Sequence, residues 1–285
     1  MGASLPRAVA ARAEDEIKSC CATLYESDWA KLLLGDSFHP GGVALTTHLG
    51  AALGLHPGLR VLDVASGTGT SALALARVFG CAVVGVDLGP ANVRAARESA
   101  LRAGLGGRVR FARGDGEHLP FADASFDAVI CECAFCTFPD KRAAAAEFAR
   151  VLRPGGQVGL SDLTRAGAIP AALTGLLAWL ACIADARPLA DYVAYLAGAG
   201  LAVRRVESHD EALGALVGAI GAKLLGAELL VRLRKLTLPG TTDFAAAKDL
   251  ARAAAAAVAD GTLGYALVVA AKDTGGPSGG GPARA

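Results

Sequence analysis

The sequence predicts a doubly wound α/β fold, a mostly parallel sheet with helices on both faces. Three observations predict it. Val61-Leu62-Asp63-Val64 is an apolar run that passes through Ala65-Ser66-Gly67-Thr68-Gly69-Thr70 directly into a helical pattern over residues 71–79. Strand and helix patterns then alternate as far as Asp162, as they do when parallel strands are joined by crossover helices. Apolar residues make up 53% of the 285, enough for a large core, although Ala and Gly dominate over bulky side chains.

Ahead of the sheet, helical patterns cover residues 8–25 and 29–34. Another covers 43–53, after the break Gly35-Asp36-Ser37-Phe38-His39-Pro40-Gly41-Gly42. The first strand begins at Arg60. A second, Ala82-Val83-Val84-Gly85-Val86, ends in Asp87, about twenty residues past the Gly-rich turn. A helix over 91–103 leads to a third strand through Phe111 that ends in Asp115. Ser125-Phe126-Asp127-Ala128-Val129-Ile130 reads as the fourth, and after a helix over 141–151, Arg153-Pro154-Gly155-Gly156 opens the fifth. Beyond Asp162 come an apolar helix over 169–184, a helix over 189–199, a strand over 202–207, helices over 210–236 and 243–260, and a last strand over 264–271. The expected units are a helical cap (1–54), a core (55–163), a helical insertion with the last two strands (164–273), and a Gly/Pro/Ser-rich disordered tail (274–285).

Lys plus Arg number 28 against 27 for Asp plus Glu, and no basic stripe appears, so nucleic acid is not an expected partner. No charged n-region precedes an apolar stretch at the start, and the seven cysteines read as thiols, so the expectation is a cytoplasmic protein. Residues 166–184 carry no charge and approach membrane-spanning length. Pro170, Thr174 and Gly175 interrupt them, so a buried or lid helix with Pro170 in its first turn is expected, not a span.

The turn points to a nucleoside. Gly67 and Gly69 let the backbone approach a ligand, and Asp87 at the tip of the second strand can hold both ribose hydroxyls. The third glycine that a pyrophosphate needs is missing, and Asp115 offers an acceptor for an adenine amino group. This ordered series, from about Val61 to Asp162, resembles the class I S-adenosylmethionine-dependent methyltransferases. The resemblance implies a seven-stranded Rossmann-like methyltransferase sheet with a helical cap, its last strand antiparallel near the edge, and S-adenosyl-L-methionine as cofactor. It places Asp63, Ser66, Gly67 and Gly69 at the methionine end, Asp87 and Leu88 at the ribose, and Asp115, Gly116 and Glu117 at the adenine edge.

The acceptor belongs past the ends of strands four and five, where the chain reads Cys131-Glu132-Cys133-Ala134-Phe135-Cys136. If the fourth strand runs on through Cys133, a period of two puts Cys131 and Cys133 on one face and Glu132 on the other, with Cys136 in the loop above. The run from Ile130 to Lys141, continued by Glu147, Arg150-Val151-Leu152-Arg153 and Gly155-Gly156, resembles the arsenite methyltransferases. In that family a cysteine matching Cys133 binds trivalent arsenic, and a second arsenic thiol resembles Cys182. Cys131 and Glu132 replace the family's Ser and Asn, Cys136 stands where it has Asn, and the Cys20-Cys21 pair lies before Tyr25, off the family's pattern. The resemblance thus implies a thiol-bound trivalent metalloid acceptor held by Cys133 and Cys182, with Cys131 and Cys136 in support and a thiol reductant as a further partner. Soft thiolates select such an element.

The alternative is a small organic acceptor, with the cysteines only lining the pocket. Buried cysteine often merely fills a core, the reading preferred for Cys81, and helix packing is the simpler role for Cys20 and Cys21. The Cys-x-Cys-x-x-Cys run lacks paired zinc knuckles, so no metal ion is expected on it. His39 is either a substrate-binding group or general base, or part of a helix-initiating turn. Asp162 either meets substrate or caps a segment, and Tyr25 and Trp29 either cover the cofactor or pack a helix. A catalytically silent cofactor-binding subunit is the rival from another class, disfavoured by the intact cofactor motifs.

Overall fold

The structure, a computed structural model, describes residues 39–173, 183, 185–235 and 243–274. The chain enters through α1 (Gly42–Ala52) and then alternates through β1 (Arg60–Val64), α2 (Thr70–Phe79), β2 (Ala82–Asp87), α3 (Pro90–Arg102) and β3 (Val109–Arg113). β4 (Phe126–Glu132), α4 (Lys141–Val151) and β5 (Leu152–Arg165) complete the parallel part. α5 (Leu189–Gly198), β6 (Leu201–Ser208), α6 (Asp210–Arg232), α7 (Phe244–Ala259) and β7 (Leu263–Lys272) follow.

All seven strands join one sheet in the order β3-β2-β1-β4-β5-β7-β6. β1, β2, β3, β4 and β5 run parallel, and β7 enters antiparallel between β5 and β6. The strand order reverses between β1 and β4, so a crevice opens beyond their carboxyl ends. β1 lies at the centre and is buried at four successive positions, Val61 to Val64, which is why it reads as a continuous apolar run. Local chemistry sets the helix ends. Pro90 opens α3, Asp140 caps α4 by accepting from the Arg142 and Ala143 amides at 3.0 and 2.9 Å, and Asp243 caps α7 through the Ala246 amide at 2.9 Å.

α1 lies across β5 because Gly159 has no side chain: a Cβ there would stand 2.6 Å from Leu49 Cδ1. On the other side of β4, Phe135 is fully buried among the rings of Phe138, Phe148, Tyr192 and Tyr195. Burying a ring of that size contributes about 1.5–3 kcal/mol. This aromatic cluster fixes the loop that follows β4.

Several sequence expectations shift. β3 ends at Arg113, two residues short of Asp115, and β4 ends at Glu132. The expected run of β4 through Cys133 therefore fails, because Cys133 turns into the left-handed region at φ 51°. Of the uncharged segment 166–184, residues 174–182 and 184 lie outside the described residues, as do residues 1–38 and the tail beyond 274. Among the described residues one helix, α6, is long and apolar enough to cross a membrane by length and composition. It packs against α7, to which Glu228 ties it through Lys248 Nζ at 2.6 Å.

Arg150 on α4 organises the segment between β3 and β4. Its guanidinium bonds both oxygens of Glu147 at 2.6 and 2.7 Å and donates to the carbonyls of Phe121 and Leu119 at 2.7 and 3.0 Å. Glu147 accepts in turn from the Leu119 amide at 2.7 Å. The hydrogen bond from Arg150 holds the Glu147 carboxyl below its ordinary range, so this contribution is complete above that range and fades as pH falls through the depressed value. Arg150→Ala is expected to lower stability by on the order of 2 kcal/mol near neutral pH, with the loss shrinking in acid. Urea melts at two pH values check it, and an equal loss at both would refute the ion-pair account.

Candidate active site

The β1–α2 turn is wound tightly under the crevice. Ala65, Gly67 and Gly69 all take positive φ, at 59°, 52° and 86°. Ala65 is a non-glycine residue held there, a strain that protein structures concentrate at functional loops. Gly69 meets both demands that only glycine satisfies, since a Cβ would also lie 2.5 Å from Phe111 Cζ.

Asp87, buried at the tip of β2, braces this turn: its Oδ2 accepts from the Gly67 amide at 2.8 Å. Its Oδ1 accepts from the Gly89 amide at 2.8 Å and from Asn92 Nδ2 at 3.3 Å, and Leu88 lies between Asp87 and Gly89 in sequence. Asp115 accepts from the Glu117 amide at 2.9 Å, and buried Glu117 accepts from the Asp140 amide at 2.9 Å. Gly116 packs so closely that a Cβ would stand 2.8 Å from Phe138 Cζ. The cofactor candidates from three strand ends thus lie side by side at one end of the sheet.

Two buried polar atoms there, Asp63 Oδ2 and Ser66 Oγ, have no hydrogen-bond partner among the described residues. Burial above all, then Glu132 and Asp87, push the Asp63 carboxyl well above the usual range. The floor of the crevice is therefore rich in carboxylates, and a bound cation would relieve their mutual repulsion.

Across from Asp63, the last residue of β4 is the centre of a polar cluster. Glu132 Oε2 accepts from Ser71 Oγ at 2.7 Å and from Thr46 Oγ1 at 2.9 Å. His39 Nε2 lies 3.6 Å from the same oxygen, and both side chains are nearly closed to solvent. His39 Nδ1 is 3.1 Å from the Pro40 carbonyl, which can only accept. That bond leaves Nε2 as the nitrogen facing the cluster. Glu132 Oε1 is buried without a hydrogen-bond partner among the described residues.

The thiols among the described residues form no common set of ligands. Cys131 and Cys136 are fully buried, while Cys133 is half-buried at the end of β4. Burial first, then the charges of Asp162, Asp63 and Glu132, push the Cys131 thiol well up, so it resists becoming a thiolate. The Cys136 amide donates to Asp162 Oδ2 at 2.8 Å, and Asp162 also accepts from the Leu163 amide at 2.8 Å. Buried Asp162 thus ties the loop after β4 to β5. Among the described residues, sets of three or more potential ligands whose atoms lie within 4.8 Å of one another occur at His48–Glu207–His209 and Asp115–Glu117–His118, so Cys131, Cys133 and Cys136 form no such set. The shared face expected for Cys131 and Cys133 is lost with the turn of the chain at Cys133. Cys182, Cys20, Cys21, Tyr25 and Trp29 lie outside the described residues.

Thr46, Ser71 and Tyr265 were not legible as site residues. Tyr265 is fully buried, donates to Ser161 Oγ at 3.1 Å, and has its phenol pushed well up by burial, then by Cys133, Asp162 and Glu132. Only Ser71, next to the Gly-rich turn, carried a signal that pattern reading had the means to use.

Residues 62–160 match the profile of a methyltransferase domain family. This stretch carries a methyltransferase domain. The domain's relatives include the methyltransferase GfsG of Streptomyces halstedii, 34% identical over 169 residues, which cover 58% of this chain and 61% of that one. The arsenite methyltransferase of Halobacterium salinarum is 32% identical over 208 residues, covering 67% of this chain and 51% of that protein. The chain thus matches between half and two thirds of the length of these two relatives. Among solved structures, a Haemonchus contortus phosphoethanolamine N-methyltransferase 2 in complex with S-adenosyl-L-methionine superposes with a TM-score of 0.75. It is 19% identical and covers 90% of this chain and 60% of that one, a likeness of fold.

Proposed function

We propose that this chain transfers a methyl group from S-adenosylmethionine to a small organic acceptor. The single observation that carries the acceptor class is the buried Glu132–His39–Thr46–Ser71 cluster at the mouth of β4. A metalloid bound by thiolates needs no such proton-handling group, whereas an acceptor O–H or N–H does.

The residues fit the donor. It supplies an electrophilic methyl on a sulfonium, and it carries an ammonium and a ribose. Asp63 Oδ2 and Ser66 Oγ, buried and unpartnered, suit the polar end of such a cation. In this reading Asp87, which braces the turn through the Gly67 amide, would hold the ribose, and Asp115, Gly116 and Glu117 the base. His39 Nε2 takes the acceptor's proton as its oxygen or nitrogen is alkylated. Glu132 steadies the resulting imidazolium, and the Thr46 and Ser71 hydroxyls hold the carboxylate in place.

A metalloid acceptor is the second reading, supported by the similarity to the arsenite methyltransferase and by half-buried Cys133 beside the cluster. Calorimetry with S-adenosylmethionine tests the donor. Because the Asp63 carboxyl is raised, ionising it favours a cation, so affinity is expected to strengthen as pH rises through that raised value. Turnover screened against phenols, alcohols, amines and arsenite tests the acceptor. Methylation of arsenite alone, abolished in Cys133→Ser, would replace the organic reading with the metalloid one. No binding of the donor at any pH would end both.

A further inference from the structure

A second cluster of chemistry lies at the edge of the sheet, apart from the crevice. His48 Nε2 on α1 and His209 Nε2 at the start of α6 lie 2.7 and 3.1 Å from the same atom, Glu207 Oε2 near the end of β6. Their rings stand edge to face with centroids 5.7 Å apart. The other oxygen, Oε1, faces Arg205 Nε in an ion pair. All three ligand atoms fall within 4.8 Å of one another.

We propose that His48, Glu207 and His209 form a binding site for a divalent first-row transition metal ion, with zinc the best fit. Two imidazoles and one carboxylate are a borderline-soft donor set, and three protein ligands leave a fourth position for water. Glu207 would bind through Oε2 alone, with Arg205 holding Oε1 as an outer partner that orients the carboxylate.

The backbone that presents these ligands is pinned. The His209 amide donates to the Tyr265 carbonyl at 2.7 Å, and Asp210 Oδ1 accepts from the Tyr265 amide at 2.7 Å. Ser208 Oγ closes the turn on Asp210 Oδ2 at 2.7 Å. His48 comes from a regular helix whose Leu49 is locked against Gly159. Two segments distant in sequence, α1 and the β6–α6 junction, therefore deliver donor atoms to one point with little freedom to diverge.

The site also bears on the crevice. Glu132, Ser161, Leu267 and Glu207 lie in one lateral row across β4, β5, β7 and β6. The two glutamates are thus separated by about three strand spacings, roughly 14 Å. α1 meets both ends of the row, through Thr46 at Glu132 and through His48 at Glu207. An ion at the outer end anchors the helix that supplies Thr46 to the inner one.

Titration of the full-length chain with cobalt(II), followed by absorption, tests the site. Cobalt reports its ligands: nitrogen and oxygen donors give only weak visible bands, whereas thiolates add intense near-ultraviolet absorption. One equivalent is expected to bind without the thiolate bands and to raise the melting temperature. His48→Ala and His209→Ala are each expected to weaken binding by at least about tenfold, and His118→Ala in the second acidic cluster to leave it unchanged. His48 is 43% exposed on its side chain, so its replacement leaves the fold intact, as circular dichroism will verify. Thiolate bands that dominate the spectrum, binding unaltered in both histidine variants, binding lost in His118→Ala alone, or no saturable binding would each overturn the proposal.

Discussion

Glu132→Gln is expected to lower kcat by about 10²- to 10⁴-fold while leaving donor affinity near that of the parent protein. Glutamine keeps the shape of the side chain and can still accept from Thr46 and Ser71, which bond Oε2 at 2.9 and 2.7 Å. What it removes is the charge that balances a protonated His39 lying 3.6 Å away. His39→Gln should fall by a similar factor, and the double variant should be little worse than either, because two groups that act as one unit do not add. A fall in kcat with donor affinity and circular dichroism unchanged separates this from a packing defect, which would move all three. Full turnover in Glu132→Gln would remove the acid–base reading of the cluster.

Gly69→Ala should have the largest effect on donor binding. At φ 86° an alanine costs about 1–2 kcal/mol from its Cβ alone. The new methyl also meets Phe111 at 2.5 Å and Ala96 Cβ at 3.1 Å. The same edge of Phe111 is already packed onto Gly85, where a Cβ would stand 2.4 Å from its Cδ1. The turn that carries Ser66 and Gly67 must shift, and overpacking of this kind adds roughly 1–3 kcal/mol. Donor affinity is expected to drop by at least about tenfold, with a lower melting temperature. Gly107→Ala is the control, because nothing lies within 4 Å of a Cβ there. Equal behaviour of the two variants in calorimetry and melting would show that the turn is not the cradle.

Much of the β1–α2 turn and its surroundings was legible because the signals are local. A buried central strand, a turn needing positive φ and an acid at a strand tip each occupy a few consecutive residues, so Val61 to Thr70 and Asp87 announce themselves. The boundaries of α2, α3 and α4 were predicted to within one residue because Pro90, Gly80 and Asp140 act on their own neighbours. Cys133 shows where local reading ends. Its place was inferred from a strand period of two, but the chain leaves that period at Glu132 to let Phe135 enter an aromatic cluster built from α4 and α5. Cysteine also carries no pattern that distinguishes a ligand from a core filler.

The sequence by itself determined the alternation of strands and helices, the turn after β1 and the acids at the strand tips, since these follow from hydrophobic period and backbone sterics over short spans. Only the tertiary structure decided what stands opposite them. Thr46, Ser71 and Glu132 are separated by 25 and 61 residues, and His48 and Glu207 by 159. Hydrogen bonds that specific depend on side-chain direction after α1 has packed across the sheet. No periodicity along the chain encodes that direction.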